Sequence, residues 1–544
     1  MPRLEDLFPT RNYLQREASI EMAEVLRQAA EVKLVAGQIH RLVLGIDELP
    51  PKPMLPVEVG ALLRDPFAEL LLKRGTFPLS LRSLLTAFDA FNNTAEGLPE
   101  QASFLVADGG HIHWTPETDL LNRQFRLVIT RGSGGEFDVL ISASTVVDSE
   151  IDLHFLQLLG WDSQNQVYNY YQRLYGTWIW AGNSQHALEP ATRGKGPFDS
   201  HVNGSLVMKE LKRPWTHWHS MSASINNEVL APDDPLRSEP LFSNKAGAEL
   251  LELGIVKPGI VRWNSARLAR SIAADGTIFD VPYLMRQVLE TTTVNLVSSE
   301  TESHLVLEGI PLQLPLTFFL SSDALLNEIG LQPNIAQIGV DGRLYLDSLR
   351  HYEFALKNGN FRQEGDAPFA FLVPEPAFED LDVLSQLLER KIITPHFAAS
   401  LLMVDFPNPV FSLRRGQLMR YVPEQAHLLP EGSDLPLRMV SAIEAVEQSL
   451  PRESPEHEFL ANWRLPEADW KTTYEKRIED YFIAIRAKVA TEEGFDGFVR
   501  LADSRRREFS KRPLNEFQLT LPTTNIPEDS PFLEMSEEGT IRAK

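Results

Sequence analysis

Cysteine is absent from the chain. That excludes disulfides, thiolate zinc sites, iron-sulfur clusters, thiolate-ligated haem and cysteine nucleophiles. Long apolar runs are also missing: stretches such as Leu314 to Leu320 are interrupted by proline or polar residues and fall short of the roughly 20 residues that cross a bilayer. No membrane partner is expected. The opening Met1-Pro2-Arg3-Leu4-Glu5-Asp6 lacks the basic, apolar and small-residue segments of a secretory signal, so a cytoplasmic location is the expectation. Positive charge is scarce, with 52 Lys and Arg against 75 Asp and Glu for a net charge of -23. Such a field repels phosphate backbones, and nucleic acid is not an expected partner.

Several catalytic signatures are missing as well. No His-Glu-x-x-His occurs, which removes the helical zinc-protease reading. Gly182-Asn183-Ser184-Gln185-His186 follows Gly-x-Ser-x-Gly for three positions and then lacks the final glycine. Arg193-Gly194-Lys195-Gly196-Pro197 pairs two cations with two permissive glycines, but Lys195 is not followed by Ser or Thr, so it is no phosphate-binding loop of the Walker type.

What is present is an enzyme-sized chain of 544 residues, 43% hydrophobic and 9% aromatic, enough to bury more than one core. Its texture predicts an α+β fold: a helical N-terminal region over 1–102, a largely antiparallel β-domain over 103–230, a mixed region over 231–465, and a helical C-terminal segment with an extended tail over 466–544. Met22, Leu26, Ala29 and Ala30 place one apolar stripe in the first region. In the second, Phe125 to Thr130 and Phe137 to Ser142 flank Gly132-Ser133-Gly134-Gly135 and read as a hairpin. Ala231 to Pro240 reads as a linker. Clear helices are expected over Ala377 to Lys391 and Trp470 to Val489, where Trp470, Tyr474, Ile478, Phe482, Ile485 and Val489 recur near every four residues.

The chemistry concentrates in the β-rich region. Seven of the 13 histidines and six of the nine tryptophans lie between His111 and His219. Uniform placement would put about 2.6 histidines there. Within it, His217-Trp218-His219 has the spacing that turns two imidazoles to one side of a strand, where they can converge on one ion. The preceding stretch, His201 to Glu210, offers a third ligand. One hairpin register brings Glu210 beside the pair; a shift by one brings His201 toward it instead. His111 and His113 repeat the spacing, and His154 ends an Asp148, Glu150, Asp152, His154 alternation that a strand would place on one face. These form a second candidate cluster.

Trp178 and Trp180, with Arg193 and Lys195, are candidates for holding a substrate, the indoles as a flat platform and the cations as an anion grip. Together these features predict a metal-dependent oxidoreductase acting on a small organic or peptide substrate. Iron is the expected metal, with copper or histidine-ligated haem as other possibilities. The competing expectation is a non-catalytic binding protein that uses the aromatic platform.

Overall fold

The computed structural model describes residues 34–544 apart from 108, 120–122, 124, 134–135, 153, 175, 207–216, 222, 359–360 and 512–521. The fold is α+β. Its main sheet contains β1 (Ile39–Arg41), β2 (Lys52–Pro53), β3 (Glu100–Val106), β4 (Arg126–Ser133), β5 (Glu136–Ser144), β6 (Leu156–Asp162), β7 (Val167–Leu174) and β8 (Thr177–Asn183). They lie in the order β2-β1-β8-β7-β6-β5-β4-β3. From β3 to β8 each strand pairs antiparallel with the next, as short connections between β-branched and aromatic runs permit. β1 runs parallel to β8. The hairpin expected around Gly132 is β4 and β5, with Ile129 opposite Ile141 and a register shift between Arg131 and Gly132.

Helices cover both faces of this sheet, which explains strands buried almost end to end, such as β8. On one face, α1 (Pro56–Leu62), α2 (Pro66–Leu70) and α3 (Leu81–Asp89) bring Phe67 to within 5.0 Å of the Tyr171 ring and 4.7 Å of Trp178. On the other, α4 (Lys257–Ser271) comes so close that a Cβ at Gly259 would stand 2.2 Å from Leu206 Cδ1. Tyr168 donates its hydroxyl to the Gly259 carbonyl at 3.0 Å across the same contact.

The C-terminal half is built on a second core. α5 (Val281–Leu289), α6 (Phe378–Glu389), α7 (Pro395–Leu402), α8 (Pro455–Trp463), α9 (Trp470–Val489) and α10 (Glu492–Lys511) contribute Leu284, Val383, Phe397, Phe459, Tyr474 and Phe498 to it. α9 has the expected bounds and buries all six residues of its expected stripe.

Other expectations are corrected. The N-terminal region is not only helical, because β1 and β2 complete the sheet; the Met22 to Ala30 stripe lies outside the described residues. The 231–240 stretch is no free linker: it forms short helical turns that bury Leu236 and lead into buried Phe242. The tail carries a hairpin of Leu533–Met535 and Ile541–Ala543 that packs on α10, and Met535 joins the core. Arg505 and Arg506, near the end of α10, are buried. They donate to the carbonyls of Phe318 and Leu372 respectively.

Candidate functional site

The stretch from His217 to His219 lies along the outer edge of β3. Ala107 donates its amide to the His217 carbonyl at 2.8 Å, His219 donates to the Leu105 carbonyl at 3.1 Å, and Trp218 bridges Val106. Trp218 is buried in the core, between the half-buried His217 and His219. Past Val106 the chain folds back through bonds from the Gly110 amide to the Ala107 carbonyl and from the Ile112 amide to the Gly109 carbonyl. The Trp114 amide then reaches the Glu228 carbonyl at 2.7 Å. Both His-x-His segments thus occupy one corner of the sheet.

The four rings differ in what surrounds them. Both ring nitrogens of His111 and both of His217 are shielded from solvent, and the His217 ring lies 6.1 Å from that of Trp218. His219 Nδ1 accepts the Ile225 amide at 3.2 Å, so a neutral His219 carries its proton on Nε2. Burial, followed by the nearby Lys245 charge, lowers the His219 pKa. His113 is exposed, with Nε2 at 3.4 Å from a Glu228 carboxylate oxygen. Among the described residues, no three His, Asp or Glu side chains already converge as a metal-binding set. Glu210 lies outside the described residues.

The remaining candidates are dispersed. His201 follows a helical turn, Gly196–Asp199, and its described neighbours up to 206 form turns rather than the expected strand. Its Nδ1–H donates to the Ser205 carbonyl at 2.9 Å, its ring lies 5.2 Å from that of Tyr170, and burial lowers its pKa to about 4. It sits against β7, across the sheet from β3. His154 belongs to the loop between β5 and β6, where Nδ1 is 2.6 Å from Ser149 Oγ. The expected alternation of Asp148, Glu150, Asp152 and His154 is lost because this segment is a loop, tied down by Arg173 bonds to the Ser149, Ile151 and His154 carbonyls.

Trp178 and Trp180 are both 0% exposed. Their indole N–H groups donate to the Pro78 carbonyl and to Asn169 Oδ1. They offer no open face to a ligand, because both faces of the sheet are covered. Arg193 lies over the Tyr283 ring at 5.9 Å, and Gly194 and Gly196, at φ 72° and 55°, give the intervening turn left-handed positions that suit glycine. Lys195 precedes the Gly196–Asp199 turn.

A further buried polar group went unread in the sequence. At the start of α6, Glu379, Asp380 and Asp382 are all buried, together with Arg267 of α4 and Gln287 of α5. Asp380 accepts the Thr292 and Thr293 amides at 2.9 and 3.2 Å and Gln287 Nε2 at 3.1 Å. Burial raises its pKa to about 6, against these hydrogen bonds. Burial, then the Asp380 charge, pushes Glu379 well above the usual carboxylate range. Asn203 links this group to the β-rich half: its amide donates to Thr292 Oγ1 at 3.0 Å and its carbonyl accepts the Trp263 indole at 2.7 Å. Acidic residues in a first helical turn are the ordinary signature of a helix start, so the sequence carried no distinct signal for this junction. Compared with known proteins, the chain matches no family model, no curated protein and no solved structure.

Proposed function

We propose that the protein is a metal-dependent oxidoreductase whose ion is held at the corner where the two His-x-His segments meet, with His111 and His217 as the leading ligands. The observation that carries this reading is the pairing of the 217–219 stretch with the end of β3, just before the turn that holds His111 and His113. His111 and His217 both have solvent-shielded ring nitrogens there. Imidazole donors without thiolates suit iron, copper or zinc, and a carboxylate such as Glu228 or Glu249 in the same corner would favour iron with open positions for oxygen and a small organic or peptide substrate. His219, which accepts the Ile225 amide, and His113, which faces Glu228, lie at the same corner. A binding protein using the indoles as its platform is the weaker reading, since both are fully buried.

Metal analysis and an absorption spectrum of the full chain test the proposal. It expects close to one equivalent of iron or copper, lost in the His111→Ala/His217→Ala variant while Trp fluorescence and cooperative unfolding persist. A Soret band would replace the mononuclear ion by haem. Metal below about a tenth of an equivalent after reconstitution with iron, copper and zinc would overturn it.

A further inference from the structure

A second site lies in the helical half, away from the histidines. A cavity of about 50 Å³ opens at the N-terminus of α6, between the C-terminal end of α5 and the segment from Thr317 to Ala324. A single water needs roughly 10–15 Å³ on this scale, so the space suits a group of about four or five heavy atoms and is too small for a nucleotide. α6 begins with Ala377 as N-cap, which provides no side-chain oxygen for the first amides of a 12-residue helix. The positive end of the helix dipole borders the cavity, with the Glu379 and Asp380 carboxyls in its first turn.

The independent observation is Arg415. This residue lines the same cavity, is 4% exposed, and has no carboxylate within ion-pair distance among the described residues. Its terminal nitrogens donate only to carbonyls, to Pro409 at 3.1 Å and more loosely to Asn408 and Val404 at 3.4 and 3.5 Å, and its Nε has no hydrogen-bond partner. A buried guanidinium held by neutral carbonyls leaves a positive charge uncompensated, and buried charges in folded proteins are ordinarily paired. The nearest acids acting on it are already engaged. Asp405 accepts from Ser412 and Asn408, and Glu458 from Arg414 and Arg477. Thr317 adds a hydroxyl on the cavity wall that is shielded from solvent and has no hydrogen-bond partner.

Three carboxylates also border the space. Asp380 is saturated by Thr292, Thr293 and Gln287, Glu290 is paired with Arg286 at 3.1 Å, and Asp323 accepts Asn327 Nδ2 at 3.3 Å. Their hydrogen bonds point away from any need for a cation. We propose that this cavity binds a small oxyanion, a carboxylate or a phosphate group, between Arg415, the Thr317 hydroxyl and the first amides of α6. Arg415, Thr317 and the first turn of α6 all line this one cavity, and each is of a donor type that an oxyanion accepts.

Isothermal titration of the full chain with sodium phosphate in one arm and sodium acetate in the other, against sodium chloride, tests it. The expected result is saturable one-to-one binding of one oxyanion with Kd of about 1 mM or tighter, and none of chloride. Arg415→Gln should weaken that binding at least tenfold, and Thr317→Val several-fold, whereas Arg438→Gln, which removes a cation paired with Asp434 outside the cavity lining, should leave it unchanged. Thr317→Val removes only a hydroxyl and decides the matter if Arg415→Gln fails to fold. Absence of saturable binding by both oxyanions, or undiminished affinity in Thr317→Val and in any folded Arg415→Gln protein, would overturn the proposal.

Discussion

Asp65 in the β-rich half and Glu379 in the helical half are both buried carboxyl groups at a helix start, and they are satisfied to different degrees. Asp65 caps α2 by accepting the Ala68 amide at 3.2 Å, and it also accepts the Tyr171 hydroxyl at 2.5 Å and the Asn169 amide at 3.0 Å. Glu379 retains an Oε1 with no hydrogen-bond partner. The cations repeat the contrast. Arg131, under the sheet, bonds to the Leu98 carbonyl, Asp89, Gln101 and Asn92, whereas Arg415 reaches only carbonyls. Asp65 and Arg131 close specific contacts in the β-rich half, whereas Arg173 there, like Arg415, donates only to carbonyls and keeps an Nε with no hydrogen-bond partner. Glu379 and Arg415 are incompletely satisfied where segments of the helical half meet, and that is where a ligand or a proton has something to contribute.

The largest expected effect tests whether the indoles are core. Trp178→Ala or Trp180→Ala should lower stability by about 3–5 kcal/mol in urea unfolding of the full chain, since each removes a fully buried ring and strands a hydrogen-bond partner. A loss below about 1 kcal/mol would return these residues to a surface role.

The pH dependence of stability comes next. Asp65 and Asp380 each have a pKa raised to about 6 in the folded state, principally by burial, against about 3.9 in an unfolded chain. The folded protein therefore binds their protons more tightly. The stability they contribute is fully present below about pH 4 and is lost as pH rises toward 6, on the order of 3 kcal/mol for each. His201 acts in the opposite sense: with its pKa lowered to about 4, it stabilises above about pH 6.5 and loses that contribution as pH falls. Chemical denaturation at four pH values between 4.5 and 6.0 should show stability rising more steeply with pH in Asp380→Asn than in the parent, and less steeply in His201→Gln. Identical slopes in all three proteins would remove these groups from the titration.

A direct comparison of the two carboxyls sharpens the contrast. Asp65→Ala should cost about 2–3 kcal/mol by leaving the Tyr171 hydroxyl and Asn169 amide unpaired inside the core. Glu379→Gln should cost less than about 1 kcal/mol, because it replaces an incompletely bonded carboxyl by a neutral group of the same shape. Equal losses would erase the distinction between the two carboxyls. The smallest effect belongs to His113→Ala, an exposed ring facing Glu228, which should change stability by no more than about 0.5 kcal/mol. A larger loss on thermal unfolding would place His113 in the structural frame of the corner.

The sequence by itself determined the α+β class, the β4–β5 hairpin and the exact span of α9, because these follow from local periodicity and glycine-permitted turns. Its composition also singled out His111–His219 as the stretch richest in candidate ligands. Only the tertiary structure decided which candidate segments are neighbours. His111 and His113 come to the His217 corner through backbone bonds between distant segments, while His201 and His154, which lie between them in sequence, are carried elsewhere by loops. Likewise nothing local distinguishes Arg505 from a solvated arginine, or Trp180 from a half-exposed one. Burial is set by what packs from the other side: the loop carbonyls at Phe318 and Pro407 around Arg505, and the coverage of both sheet faces around Trp180. Such long-range neighbours have no periodic trace in the chain.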